Sequence, residues 1–284
     1  MNSPEPSLRL ATESIPGQRP YQEDAVHTQT LSDGRTLVAI ADGMGGHAAG
    51  EVASALALET LVQKLEAGEP LDLAFQLANT QVHTKAREPG KQGMGTTLVA
   101  MILDGDQFQM ANVGDSRGYL LSEGGIRQLT EDHSFVAEAV KKGESEEAAK
   151  ASRWKDALTR SIGTSPEVEV DVFGPFAVEG DTAVLLCSDG LYKTLSDQDL
   201  HEIFIKSAGP RGACQTLVSA AYDRGSDDNI SVAVAEFGEI PRERPVGTMP
   251  LEFNVPDGVE NDAPPHEEEE PERKKKGWWP FRKG

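Results

Sequence analysis

Leu37 to Ala41 is a short apolar run that stops at Asp42 and passes directly into Gly43-Met-Gly-Gly-His47. Beyond it, Val52, Ala55, Leu56, Leu61, Val62 and Leu65 recur close to the helical period. The chain must therefore pass from a buried strand, through a loop stripped of side-chain bulk, into a helix. A carboxylate stands at the joint. Two readings of Asp42 follow: a metal ligand at a strand end, or a solvated residue at the tip of an ordinary turn.

The same punctuation recurs. Strand-like apolar runs are bounded by Gly114-Asp115-Ser116, Ser188-Asp189-Gly190 and Asp228-Asn229, and Asp24, preceded by Glu23, lies in another loop. Turn chemistry alone places an Asp beside a Gly. Several such residues point instead to carboxylates converging on one rim of a sheet core. Clustered carboxylates repel and resist ionising together unless cations join them. With no Cys and little His in these stretches, the donors suit hard cations, Mg²⁺ or Mn²⁺, rather than zinc. Two such ions about 3.5–4 Å apart hold a bridging water and clamp a phosphoryl oxygen. The chemistry indicated is phosphoester hydrolysis.

Composition narrows the alternatives. The formal net charge is −20 over 284 residues, which argues against a nucleic-acid binder. The ten acidic and eight basic residues from Pro241 onward nearly cancel, so the acidity belongs to the first 240 residues. Cys187 and Cys214 lie in apolar surroundings and read as free buried thiols. The start of the chain lacks the basic flank and apolar core of a signal peptide. No apolar run is long enough to span a bilayer. A cytoplasmic protein is expected.

Strands are expected on both sides of the loop Gly17 to Asp24. A helix is expected over about Leu71 to Arg87, and a hairpin around Asp104-Gly-Asp106. Strands over Gly118–Leu121 and Ile126–Leu129 flank a turn, and Ser134 is placed to cap a helix after His133. Gly143 to Lys155 reads as a polar, partly helical insert. Further strands are expected at Val168–Phe173, Thr182–Cys187 and Ile230–Phe237. Ser196-Asp-Gln-Asp199 opens one helix as a capping box, and another covers about Arg211 to Tyr222. Eight of the 17 prolines fall between Pro241 and Pro280. The expected division is a folded domain over 1–240 and a disordered, Pro-rich, acidic linker over 241–284 with a basic, aromatic end.

Arg19-x-x-Gln-Glu-Asp24, Asp42-Gly-Met-Gly-Gly-His47, Gly95-Thr-Thr97, Gly114-Asp-Ser-Arg117, Ser188-Asp-Gly190 and Asp228-Asn-Ile-Ser231 together resemble the ordered motifs of the metal-dependent Ser/Thr protein phosphatases, the type 2C or PPM family. The resemblance covers about residues 8 to 238, and the Asp-Gly-Met-Gly-Gly form resembles the bacterial branch. It implies an α+β fold, a four-layer αββα sandwich of two antiparallel sheets flanked by helices. It implies phosphoserine and phosphothreonine hydrolysis by a water activated between two Mn²⁺ or Mg²⁺ ions, reversing a Ser/Thr kinase. Asp42 would bridge the ions and Gly43 would give its carbonyl. Asp189 and Asp228 would bind one metal, Asp24 and Glu23 would act through water, and Asp115 would hold a third, weaker ion or simply cap a turn. Arg19 would grip the substrate phosphate.

Other positions carry plainer expectations. Thr96 and Thr97 read as strand residues and His133 as a helix-entry residue. His47 stands further from the Asp-Gly pair than the general-acid His of relatives outside the bacterial branch, and Gln22 stands where many relatives have Asn. The Gly143–Lys155 insert corresponds to the family's flap. Trp278, Trp279 and Phe281, flanked by cations, suit either an anionic membrane surface or a protein partner. Two other functions are open to the same residues: a catalytically weak phosphoprotein-binding relative, against which the retained carboxylates speak, and a hydrolase of small phosphoesters.

Overall fold

The computed structural model describes residues 7–45, 48–178 and 180–241. His47 and the tail with Trp278, Trp279 and Phe281 lie outside the described residues.

The first strand is β1 (Leu8–Ile15), followed by β2 (Asp24–Thr30) and β3 (Thr36–Met44). Helices α1 (Ala48–Glu66) and α2 (Leu71–Lys85) come next, then β4 (Gly95–Thr96), β5 (Leu98–Asp104) and β6 (Gln107–Val113). The hairpin β7 (Arg117–Ser122) and β8 (Gly125–Gln128) precedes α3 (Phe135–Lys141) and α4 (Glu146–Lys150). The chain closes with β9 (Asp171–Ala177), β10 (Thr182–Cys187), α5 (Asp189–Tyr192), α6 (Asp197–Lys206), α7 (Gly209–Asp223) and β11 (Ile230–Phe237). All pairings are antiparallel: β1-β11-β10-β7-β8 form one sheet and β2-β3-β5-β6-β9 the other, with β4 beside β3.

Alternation along the central strands builds four layers. Val38 and Ile40 of β3 meet Val184 and Leu186 of β10 and Ala233, Ala235 and Phe237 of β11 between the sheets. Leu37, Ala39 and Ala41 point the other way and pack under α1 and α2. Leu185, Val232 and Val234 lie under α6 and α7 on the opposite side. Strands buried on both faces have no solvent side, which is why Leu37–Ala41 of β3 and Val232–Ala235 of β11 read as unbroken apolar runs. The fold class is the expected αββα sandwich.

The caps follow their sequence signals. Ser134 Oγ accepts from the Ala137 amide at 3.2 Å. In the box at α6, the Asp199 amide donates to Ser196 Oγ and the Ser196 amide to Asp199 Oδ2. Two segments differ from expectation. The strand read at Val168–Phe173 begins only at Asp171 and runs on to Ala177. Val168 and Val170 instead pack against the helix-side core, so their alternation reports burial without pairing. Pro175 is tolerated further on because β9 is an edge strand, and its register with β6 shifts between Phe108 and Met110. The single-turn helix α5 was not expected. Both thiols, Cys187 and Cys214, are free and buried. Among the described residues no helix is long and apolar enough to cross a membrane.

Candidate active site

The pairing of β2 with β3 places Asp24 directly opposite Asp42. Asp24 is buried, and its Oδ2 accepts from Ser188 Oγ at 2.8 Å and Ser231 Oγ at 2.6 Å. Its Oδ1 is buried with no hydrogen-bond partner. The serines come from the ends of β10 and β11, so the two sheets meet on this carboxylate. Gln22 assists: its Oε1 accepts from the Asp24 amide, and its Nε2 donates to Ser14 Oγ.

Asp42 is clamped through its backbone. Its amide donates to Thr97 Oγ1 at 2.9 Å, and its carbonyl accepts from the Thr97 amide and from Thr96 Oγ1, each at 2.9 Å. Thr97 Oγ1 also meets Ser116 Oγ at 2.7 Å, tying this strand to the Asp115 loop. The next residue must be glycine. A Cβ on Gly43 would lie 2.2 Å from the Gly50 carbonyl oxygen and 2.6 Å from that of Glu23.

Asp189 opens α5, and Asp228 lies in the loop before β11. Asp189 Oδ2 accepts from Lys193 Nζ at 2.5 Å, while Oδ1 is buried with no hydrogen-bond partner. Asp228 Oδ2 accepts from Arg19 Nη2 at 2.8 Å, and Arg19 Nε donates to the Asp227 carbonyl at 2.7 Å. Arg19 is thus held on Asp228. Asn229 shapes the loop that carries Arg19: its Oδ1 accepts from the Glu23 amide, and its Nδ2 donates to the Pro16 and Tyr21 carbonyls.

Asp115 is fixed from behind by His133. The His133 Nδ1 accepts from the Gly114 amide at 3.1 Å, which leaves the ring proton on Nε2, donated to Asp171 Oδ2 at 3.0 Å. Arg160 holds Asp171 through both guanidinium arms. Burial pushes the His133 pKa down, in keeping with a neutral structural ring. Beside Asp115 opens a cavity of about 900 Å³, walled by α3, α4, Lys155, Asp156, Tyr192 and Lys193. The polar insert therefore borders the carboxylates.

The electrostatics are those of crowded like charges. Loss of hydration pushes Asp42 well above the usual carboxylate range, and Asp24, Asp189, Asp115 and Asp228 push it further. Burial lifts Asp24 to about 7, against the two serine hydrogen bonds that lower it. Asp115 is lifted to about 7 by burial and by Asp189. Asp228 is raised too, again mainly by burial.

The structure thus gathers Asp24, Asp42, Asp115, Asp189 and Asp228 at one rim. Glu23, Gly43 and Arg19 are brought to the same rim by the contacts given above. Among the described residues no three acidic, His or Cys side chains already close into a finished metal cage. The rim is open, all-oxygen and partly neutralised by Arg19 and Lys193, and it holds two buried carboxylate oxygens without partners. Such a donor set fits hard divalent cations. Sequence reasoning missed the positioning residues: Ser188, Ser231 and Asn229 lay inside the quoted motifs, and Thr97 was read as a plain strand residue.

The family described as protein phosphatase 2C matches residues 12–230. The serine/threonine phosphatase stp of Listeria welshimeri is 38% identical over 232 residues, 77% of this chain and 91% of that protein. The serine/threonine protein phosphatase PstP of Mycobacterium tuberculosis is 37% identical over 81% of this chain and 45% of its own. The solved serine/threonine phosphatase of S. agalactiae superposes with a TM-score of 0.77 at 31% identity, covering 82% of this chain and all of that one. The catalytic domain of PstP in complex with two manganese ions gives 0.68 at 32% identity over 82% of this chain and 99% of that one. The chain belongs to the protein phosphatase 2C family and is a protein serine/threonine phosphatase of its bacterial branch.

Proposed function

We propose that the chain hydrolyses phosphoserine and phosphothreonine in proteins with the help of two Mn²⁺ or Mg²⁺ ions, and so opposes a Ser/Thr kinase. The observation that carries this is the Asp24–Asp42 pair, completed by Asp189 and Asp228 from the other sheet. Asp42, the Gly43 carbonyl, Asp189 and Asp228 would hold the ions, with Asp24 and Glu23 acting through water and Asp115 offering a third, weaker position. When bound, such ions supply a water of lowered pKa and a positive clamp on phosphoryl oxygens.

The protein's own share is positioning. Ser188 and Ser231 fix Asp24, and Thr97 fixes the backbone of Asp42. These hydroxyls are committed to hydrogen bonds with the rim, so none is set up as a nucleophile. The phosphoryl group passes directly to water, with no phosphoenzyme. Arg19 stands at the mouth, 47% exposed, where its fork can turn from Asp228 to a substrate phosphate.

The test is turnover of p-nitrophenyl phosphate and of phosphopeptides with and without Mn²⁺, for the native chain and Asp42→Asn. Metal-dependent turnover that falls about 100-fold or more in the variant is expected. Turnover without metal, or an undiminished variant, would overturn the reading.

A further inference from the structure

Lys193 enters the site by helical geometry. The Lys193 amide donates to the Asp189 carbonyl at 3.0 Å, so one turn of α5 stacks the lysine over the aspartate. Its Nζ sits 2.5 Å from Asp189 Oδ2 and 4.0 Å from Asp156 Oδ1. Asp156 follows the polar insert and, like Lys193, lines the cavity beside Asp115. One ammonium thus stands between two carboxylates, one on the metal rim and one at the base of the insert. The lysine half of the pair is 47% exposed, so its stem is free to turn, whereas Asp189 is only 13% exposed and fixed.

We propose that Lys193 is a resident counter-ion of Asp189 that a divalent cation must displace, and that the displaced ammonium passes to Asp156. This rests on Asp189 being a metal ligand. Two positive charges cannot share one carboxylate at contact distance without mutual repulsion. Metal entry therefore frees Lys193; of the two other carboxylates that attract it, Asp115 belongs to the same rim and Asp156 lies outside it, 4.0 Å from Nζ. By linkage, whatever strengthens the Lys193–Asp156 contact strengthens metal binding by the same factor. Lys193 is a positioning residue for the insert, and it sets the metal affinity of the rim.

The test is Mn²⁺ binding by calorimetry on the full chain, with hydrogen exchange over residues 143–156 as a readout independent of activity. Lys193→Gln is expected to bind Mn²⁺ about three- to tenfold more tightly, because the competitor is gone. Asp156→Asn is expected to weaken binding in the native chain and to change nothing in the Lys193→Gln background. Mn²⁺ is expected to slow exchange at 143–156 in the native chain but not in Lys193→Gln. Unchanged or weaker binding by Lys193→Gln would overturn the proposal, as would equal exchange responses. Asp189→Asn separates the two levels. If it binds Mn²⁺ normally, the ligand assignment fails and this proposal with it. If it loses Mn²⁺ while Lys193→Gln binds no more tightly, this proposal alone fails.

Discussion

Asp24 and Asp42 face each other across an antiparallel ladder, two acids at directly opposed positions of β2 and β3. Like charges so placed are destabilising. In this fold burial and mutual repulsion raise both carboxyls, so without metal the pair keeps its protons to higher pH than free carboxyls do.

The pair therefore couples stability to pH in the metal-free protein. Asp24 ionises at about 7 when folded, against 3.8 for an unperturbed carboxyl. Between these values the folded chain holds a proton that the unfolded chain has lost, so stability falls as pH rises through the window. Thermal melts in EDTA should show a Tm that drops from pH 5 to pH 8. Saturating Mn²⁺ should flatten the dependence, and Asp42→Asn should raise the metal-free Tm at pH 8 while losing the stabilisation by metal. A Tm in EDTA that rises over the same range would contradict the account.

Asn229→Ala removes three hydrogen bonds to the loop from Pro16 to Glu23. The buried groups left behind cost about 3 kcal/mol. Because the loop carries Arg19 and leads into Asp24, KM for a phosphopeptide should rise along with the loss of stability. Denaturant melts and steady-state kinetics on the same preparation check both.

Gly43→Ala adds one methyl group where two backbone carbonyls already stand, at 2.2 and 2.6 Å from the new atom. Neither can retreat without moving α1 or the Glu23 loop. A loss of about 3 kcal/mol, on the order of 10 °C in Tm, is expected. An unchanged Tm would mean that the strand end is less tightly enclosed than described.

Asp199 gives the opposite pH dependence to Asp24. Hydrogen bonds from Arg224, then from Ser196, hold its carboxyl well below the usual range. With a depressed folded pKa, its stabilising contribution is present above about pH 4 and is lost as pH falls below that. Asp199→Asn should lower Tm at pH 7 and by somewhat less at pH 3, the rest of the difference disappearing only at still lower pH. Equal shifts at both values would remove the charge from the explanation.

The layers of the fold were readable because β3, β10 and β11 are buried on both faces and α6 carries its box in full view. The carboxylates were readable as punctuation at strand boundaries. What escaped notice depends on distant partners. Val168 and Val170 alternate like a strand because a helix-side core covers them, a fact that no local window contains. Thr97 and Ser231 look like ordinary β-formers until Asp42 and Asp24 arrive beside them. Lys193 is a single-turn neighbour of Asp189, but α5 is too short to leave a periodic trace.

Asn229 grips a loop that the ribosome makes about two hundred residues earlier, and Ser188 and Ser231 grip Asp24 over comparable spans. A growing chain that ends before Asp228 has every early carboxylate but lacks Asp228 itself, Asn229 and Ser231. Competence arrives with the last strand, so the polypeptide stays chemically silent until Ile230–Phe237 has been made.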